Sequence, residues 1–542
     1  ARATPRMIRE GRTVQSDISA PRGIKWYQWH RDAFELAEAR GVPVLLSISA
    51  SWCHWCHVLD SEAFSDPEVV SVINSDYVPI RVDTDVRPDV NAMYNMGGWP
   101  TVALLDHDGR ILSGATYLPA PRMLEWLQRT SSTYPLRTVG REKPRPSRVA
   151  PRGLTDFTPN LKPRSDLLSW IEDAYDETYG GFGTEPKFPM FDCLALIASE
   201  YDATGEARWR NMLLSTLASM TGGGTYDRVE GGLFRYSTTR DWSVPHFEKM
   251  LLDNALLLSI CGQAYRATSE PWLVSVAENT VSYMNNTLFM DIPGVFAGSQ
   301  DADDTYYRLQ TPELRARSAS PRIDRRVYSD WNSIAGGALI TCGAAMDKPA
   351  WVQHGLAVLR NIHDLCFDPV HGMGHVWEGE PGIWGLAHDL IAHGAACLHA
   401  FDATDEPMWK ERSLLLASRI VSTHGNQGLV SRLPTPDDPP GFERPVRDFH
   451  ENAYGAMWLT RAAQLADSPH DAAALRSSAL ECLAVCHRLY PRYGIHGAAY
   501  GLALERYLDA HATAAESGLP HGIQCEGGVC RPGDRPAYDH GP

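Results

Sequence analysis

Val44-Leu45-Leu46-Ser47-Ile48-Ser49-Ala50-Ser51-Trp52-Cys53-His54-Trp55-Cys56-His57 is the stretch on which the fold turns. Val44–Ser49 is short, β-prone and apolar enough for a buried parallel strand. A C-x-x-C follows at once and opens a helix expected to run through Phe64. A helix N-terminus offers free N–H groups and the positive end of the dipole, which lower a thiol's pKa. Cys53 is therefore the expected nucleophile and Cys56 the resolving thiol, with His54 placed to stabilise the thiolate. Upstream, Asp32–Arg40 reads as a helix ended by Gly41. Downstream, Asp66 and Pro67 have the chemistry of an N-cap and first turn. Tyr77–Val82 reads as the next strand. Thr101–Leu105 and Ile111–Tyr117 flank the turn His107-Asp108-Gly109 as a hairpin would.

Gly98-Trp99-Pro100-Thr101 precedes the third strand and fits the cis-proline loop that faces the C-x-x-C in thioredoxin-like folds. Strand, W-C-x-x-C, helix and X-Pro-Thr-strand together predict a thioredoxin-like domain. Cys53-His54-Trp55-Cys56-His57 also fits the C-x-x-C-H of c-type haem attachment, but no haem-domain pattern accompanies it. Metal binding by Cys53, Cys56, His54 and His57 is a further, weaker alternative. Thioredoxins proper place a buried acid where this chain has Ser47, and Gly-Pro where it has His54-Trp55. Both departures weigh against thioredoxin-like turnover without excluding thiol chemistry.

The chain has 542 residues, 44% hydrophobic and 21% charged, with a net charge of −16. That length implies at least two domains, and that composition excludes a mainly disordered chain. The acidic balance argues against a nucleic-acid partner. No apolar run approaches a membrane span, and the first twenty residues lack the apolar core of a secretory signal, so a cytoplasmic location is expected. Residues 136–165, rich in Pro, Arg and Ser, read as a linker. Residues 166–520 read as helical, without convincing repeated strands. Six glycine-marked loops punctuate them, at Gly180, Gly231, Gly294, Gly372, Gly425 and Gly494. Six helical hairpins closing into a ring make an (α/α)6 toroid with its loops gathered around a pocket. The expected fold class is thus multidomain, α/β plus all-α: a thioredoxin-like domain over 1–135, the linker, and the toroid. Residues 521–542 form a tail with Cys525 and Cys530, a pair expected to be structural or idle. Seven other cysteines sit in apolar stretches and read as small buried hydrophobes.

At these residues the chain resembles a known group, the thioredoxin-domain-containing family of spermatogenesis-associated protein 20 and its bacterial relatives. The likeness covers the Cys-His-Trp-Cys-His signature, Ile24–Trp29, Val82-Asp83, Arg87-Pro88-Asp89 and Gly98-Trp99-Pro100. It is strongest over Gly180–Pro189 and from Tyr226-Asp227 to Val244–Leu251, and continues at Gln300–Asp303, Trp331-Asn332 and Cys525…Cys530. The resemblance implies a thioredoxin-like domain followed by an (α/α)6 barrel similar to N-acylglucosamine 2-epimerases and some glycoside hydrolases. It settles fold better than function. Where the family has Asp-Arg-Glu-Glu-Arg-Pro, this chain has Asp83–Pro88, and the family's later Asp-Tyr-Ala motif keeps only the acid, Asp389. The segment Arg315–Arg326 is short and arginine-rich where the family carries a longer insert.

The expected barrel site centres on Pro245–Leu251, read as the start of a helix that places His246, Lys249 and Asp253 on one face. Barrel epimerases move a proton with histidine, and hydrolases use paired carboxylates. His246 is the candidate base, and Glu248, Asp227, Asp301 and Asp303 are candidate acids or hydroxyl acceptors. Trp242, Trp331 and Tyr236 can stack on a sugar ring. Lys187 and Arg235 either bind an anionic group or pair with neighbouring acids. Trp99, Pro100, Asn332 and Asp389 complete the candidate substrate-binding set. The Gly-Gly pairs read as turns, since no phosphate-binding fingerprint follows a strand, and Asp301–Asp304 lacks an EF-hand pattern. The expected function is acid–base isomerisation or epimerisation of a polar, sugar-like small molecule, with a thiol-redox contribution from Cys53 and Cys56. The alternatives are a thiol–disulfide oxidoreductase acting on proteins or a thiol reductant, with the barrel as a binding module, and a non-catalytic scaffold.

Overall fold

The computed structural model describes residues 23–138 and 157–516, apart from Asn426 and Glu443. Most of the expected linker and both tail cysteines lie outside the described residues. The first domain runs α1 (Arg31–Arg40), β1 (Val44–Ser49), α2 (His54–Ser61), α3 (Pro67–Asp76), β2 (Val78–Asp83), α4 (Pro88–Tyr94), β3 (Thr101–Leu105), β4 (Ile111–Ala115) and α5 (Ala120–Thr138). Its sheet has the order β2-β1-β3-β4, with β1 parallel to β2 and antiparallel to β3. All six residues of β1 are buried, because both faces of the sheet are covered. Alternation along the strand sends Val44, Leu46 and Ile48 against Phe34 and Val90, and Leu45 against Phe64, Ile73 and Leu127. Asp66 caps α3 by accepting from the amides of Glu68 and Val69. The Trp99–Pro100 peptide is cis, as the thioredoxin-like loop requires.

The second domain holds twelve long helices among the described residues: α6 (Lys162–Ala174), α7 (Phe191–Thr204), α8 (Ala207–Gly222), α9 (Leu251–Thr268), α10 (Trp272–Tyr283), and, after the one-turn α11 (Asp304–Tyr307) and α12 (Pro312–Arg315), α13 (Ser329–Ala345), α14 (Pro349–Cys366), α15 (Ala387–Thr404), α16 (Pro407–His424), α17 (Phe449–Leu465), α18 (Pro469–Tyr493) and α19 (Ala498–Glu516). Helices α7, α9, α13, α15, α17 and α19 pack in a closed ring, each backed by an outer partner. The outer partner of α19 is α6, so the two ends of the domain join to close the toroid. Close approach within the ring needs small residues: a Cβ on Gly262 of α9 would lie 2.9 Å from Cys342 Cα of α13.

The glycine-marked loops are held by one repeated device. The Asn254 side chain accepts from Leu233 N–H at 2.7 Å and donates to Leu233 C=O at 3.2 Å. Asn332 does the same to Phe296, at 2.8 and 3.0 Å, and Asn452 to Leu429, at 2.8 and 3.0 Å. Each asparagine sits in the first turn of an inner helix and is fully buried. Two loops add buried ion pairs: Lys187 donates to Asp176 at 2.7 Å, and Lys249 to Asp227 and to Gly231 C=O.

Two local expectations change. Helix α9 begins at Leu251, so His246 and Lys249 lie on two-residue strands rather than on a helix face with Asp253. The barrel also carries short strands, the longest Gly372–Trp377 paired with Pro381–Trp384; two-residue pairings leave no periodicity for a sequence to show. Replacing Asn332 by Ala would strand a buried N–H and C=O, each costing about 1–3 kcal/mol. Asn332→Ala is therefore expected to lower the thermal unfolding midpoint by several degrees, a drop that a surface substitution such as Asn286→Ala should not reproduce.

Candidate functional site

Inner helices start at one end of the toroid, and five of them carry an acid in the first turn: Asp192, Asp253, Asp330, Asp389 and Glu451. The positive ends of the helix dipoles favour carboxylates there. The thioredoxin-like domain is seated over this end. Arg326 reaches Asp83 Oδ2 at 2.7 Å and Asp324 Oδ1 at 2.8 Å, and Ser51 Oγ donates to Asp324 at 3.1 Å. His375 Nε2, on the strand Gly372–Trp377, lies 2.7 Å from the Asp85 carbonyl. Arg432 meets Asp89 at 3.2 Å.

Between the two domains lies a cavity of about 300 Å³. Asp85 and Trp99 come from the first domain, and Arg235, Asp253, Asp330, Trp331, His375 and His388 from the barrel. The Arg235 guanidinium stacks 3.7 Å above the Trp52 ring and 5.3 Å from that of Trp99. Arg235 Nη1, Asp253 Oδ2, Asp330 Oδ1 and Trp99 Nε1 are buried without a hydrogen-bond partner. So are Asp389 Oδ2 and Glu451 Oε2, just behind the wall. Buried polar atoms are normally satisfied, so four unpaired ones on the residues lining one cavity, with two more beside them, mark a place for a polar ligand.

Burial shapes the acids. It pushes Asp253 up to about 6, with Arg235 opposing and Glu248 adding to the rise. It pushes Asp85 up to about 7, aided by the Asp83 charge and opposed by the Trp52 indole N–H, which donates to Asp85 Oδ2 at 2.6 Å. For His388 burial works downward, but Asp389, Glu451 and Asp330 outweigh it and hold the imidazolium at about 10.

Of the residues singled out in the sequence, Trp99, Arg235, Asp253 and Trp331 line the cavity. Asp389 is buried beside it, its Oδ1 2.9 Å from His375 Nδ1 and accepting from Ser329 Oγ at 3.0 Å. Lys187, Lys249, Asp227 and Asn332 are engaged in the loop clamps, and Asp227 also takes Arg315. His246 pairs with Glu248 and stacks on Tyr236, whose other neighbour is Phe188; neither ring lines the cavity. Trp242 is fully buried, its indole packed against Gly181. Asp303 caps α11, and Asp301 sits 3.4 Å from His57 Nε2. Pro100 is buried and does not line the cavity. Cys53 and Cys56 are joined as a disulfide, 4% and 2% exposed, in a core shared with the barrel. His54 is exposed. Asp85, Asp330 and His375 were not singled out. Asp330 and Asp389 share a sequence signal with Asp253, an acid in the first turn of an inner helix; His375 has none.

Residues 15–136 match the family model Thioredox_DsbH, described as a protein of unknown function, DUF255. Human spermatogenesis-associated protein 20 is 31% identical over 320 residues, covering 54% of this chain and 40% of that protein. The mouse protein is 30% identical over the same length. The chain resembles the spermatogenesis-associated protein 20 family. It spans about 40% of the length of these curated relatives. Among solved structures, the cellobiose 2-epimerase of Spirochaeta thermophila aligns with TM-score 0.51 and 15% identity, covering 64% of this chain and 97% of that one. That of Bacillus thermoamylovorans gives 0.51 and 11%, covering 64% and 99%. A D-mannose isomerase gives 0.50 and 11%, covering 63% and 96%. At such identities the likeness is one of fold: the barrel is a helical toroid like theirs, and in this chain the thioredoxin-like domain covers its mouth. Among the described residues, no helix is long and apolar enough to cross a membrane.

Breaking a buried ion pair costs about 3–5 kcal/mol. Arg326→Ala, which cuts the seam at Asp83 and Asp324, is expected to speed alkylation of phosphine-reduced Cys53 and Cys56 by at least about tenfold, read by mass spectrometry. Equal rates in wild type and variant would mean that the seam does not shield the sulfurs.

Proposed function

We propose that the cavity binds a polyhydroxylated, sugar-like small molecule and that the protein moves a proton on it, as an isomerase or epimerase does. Four buried polar atoms without hydrogen-bond partners, Arg235 Nη1, Asp253 Oδ2, Asp330 Oδ1 and Trp99 Nε1, on residues that line one cavity together with Trp331, carry the reading. A volume of about 300 Å³ suits a small polar ligand at the lower end of ordinary binding pockets. Aldose–ketose or 2-epimer interconversion removes the proton on the carbon beside a carbonyl, stabilises the enediolate oxygen, and returns a proton. Asp253 presents the free Oδ2 that can take the proton. Arg235, held by Trp52 and Trp99, presents Nη1 to the developing negative charge. Trp331 and Trp99 offer apolar faces to a sugar ring.

The disulfide enters through Trp52, its sequence neighbour, whose ring carries Arg235 and whose N–H holds Asp85. A change in the Cys53–Cys56 bond would thus be felt at the cavity wall. Near-complete burial of both sulfurs favours this reading over disulfide exchange with folded proteins.

The test is solvent-deuterium incorporation beside the carbonyl, followed by NMR over a panel of aldoses and ketoses. Asp253→Asn should lower kcat by about 10²–10⁴-fold, with circular dichroism unchanged. Because Asp253 acts ionised and its folded pKa lies at about 6, wild-type turnover should rise as pH increases through about 6, and the variant should lose that limb. A panel without exchange, or an Asp253→Asn enzyme of wild-type rate, would overturn the assignment.

A further inference from the structure

Asp330, His375, His388 and Asp389 bring four ligand atoms within 4.8 Å of one another. His375 Nε2 faces the Asp85 carbonyl, which can only accept, so this nitrogen carries the hydrogen. That leaves His375 Nδ1 turned toward the cluster. His388 Nδ1 faces Glu451 Oε1 at 3.2 Å and donates to that carboxylate, which turns His388 Nε2 inward as well. Metal-binding histidines have this arrangement: the outer nitrogen donates to a carbonyl or carboxylate, which fixes the tautomer and orients the ring.

The inner atoms are spaced for a cation. His375 Nδ1 and His388 Nε2 lie 3.3 Å apart. Two metal–imidazole bonds of about 2.0–2.1 Å at a tetrahedral angle would set their nitrogens about 3.3–3.4 Å apart. Asp389 Oδ1 stands 2.9 Å from His375 Nδ1 and 3.7 Å from His388 Nε2. Asp330 completes the set at 3.9 Å from His375 and 4.0 Å from His388. Asp389 is fully buried with Oδ2 unpartnered, and Asp330 Oδ1 is unpartnered too. Both inner nitrogens point at one spot between two carboxylates, where a cation would take the place of the proton that otherwise bridges them.

We propose that these four side chains bind a divalent transition-metal ion of the zinc class, for which two imidazoles and two carboxylates are a fitting donor set. Asp330, His375 and His388 also line the cavity, so the ion would be within reach of a bound molecule and could polarise a carbonyl or hydroxyl oxygen. That last role rests on the sugar-like reading of the cavity, whereas the metal site rests on the cluster alone.

The test uses the full chain, stripped with a chelator and titrated with zinc ion in a calorimeter, with cobalt ion as a spectroscopic probe. One equivalent should bind with a Kd below about 1 µM, and cobalt should give the visible absorption of a tetrahedral site. His388→Gln and Asp389→Asn should each weaken zinc binding by at least about tenfold and erase the cobalt bands. Glu451→Gln, which leaves every ligand in place, should weaken zinc binding less than either. A Cys53→Ser/Cys56→Ser variant with unchanged circular dichroism should still take up one equivalent of zinc, since none of the four ligands is a cysteine. No stoichiometric uptake, or uptake unchanged in both His388→Gln and Asp389→Asn, would overturn the site. Uptake lost in the cysteine variant would overturn it as well. Because binding is read without substrate, zinc bound by a protein that exchanges no sugar proton would sink the isomerase reading and leave the metal site standing.

Discussion

The hydrogen bond from His375 Nε2 to the Asp85 carbonyl, 2.7 Å long, is where the two domains become one site. It joins the loop after β2 to a strand that backs the inner helices. It also decides which nitrogen of His375 looks into the cavity, because a carbonyl can only accept. The seam around it repeats the same logic with charge: Arg326 bridges an acid from each domain. Without the first domain the cavity would lose Asp85 and Trp99, and Arg235 would lose the indole it lies on. The barrel end would then expose a set of carboxylates with too few cations beside them.

This seating explains why the thioredoxin-like motif departs from its namesake. The strand, the Trp-Cys-x-x-Cys turn and the cis-proline are all kept, yet the surface that a thioredoxin offers to other proteins is spent on the barrel. Ser47 stands where an acid would serve proton transfer to a buried thiol, and here its hydroxyl is buried without a partner. Trp52 has become a structural member, holding Asp85 through its N–H and Arg235 through its ring. His57 turns to Asp301 of the barrel, whose hydrogen bond raises the imidazole pKa despite burial.

The elements were legible where local rules are strong. Val44–Ser49, Asp66 before Pro67, and the glycine-marked loops each follow from near neighbours in the chain, and the structure has them at those positions. The site was legible only in part. Lys187, Lys249 and Asp227 look like site residues because an ionisable group among apolar ones is the signature of a pocket. It is equally the signature of a buried ion pair that clamps a loop, and these residues are that. Asn332 is the same case, since its clamp on Phe296 is shared by Asn254 and Asn452 on their own loops. Asp85 and His375, 290 positions apart, meet only through the docking of two domains, for which no spacing in the chain is diagnostic. Asp330 was recoverable in principle, as an acid in the first turn of an inner helix, but the signal needs all the repeats aligned at once.

The repeated first-turn acid also explains how a toroid comes to hold charge at its mouth. Each inner helix favours a carboxylate near its N-terminus, and one such acid on the outside of a single helix would be solvated and harmless. Closing the ring turns them toward one another. Asp192 is answered by the Tyr454 hydroxyl at 2.7 Å, and Asp389 and Glu451 by the two histidines. Even so, Asp253, Asp330, Asp389 and Glu451 each keep one oxygen without a hydrogen-bond partner. Ring closure and domain docking thus concentrate more negative charge than the fold itself neutralises. That surplus lies along the wall of the cavity between the two domains, where a ligand or a cation can reach it.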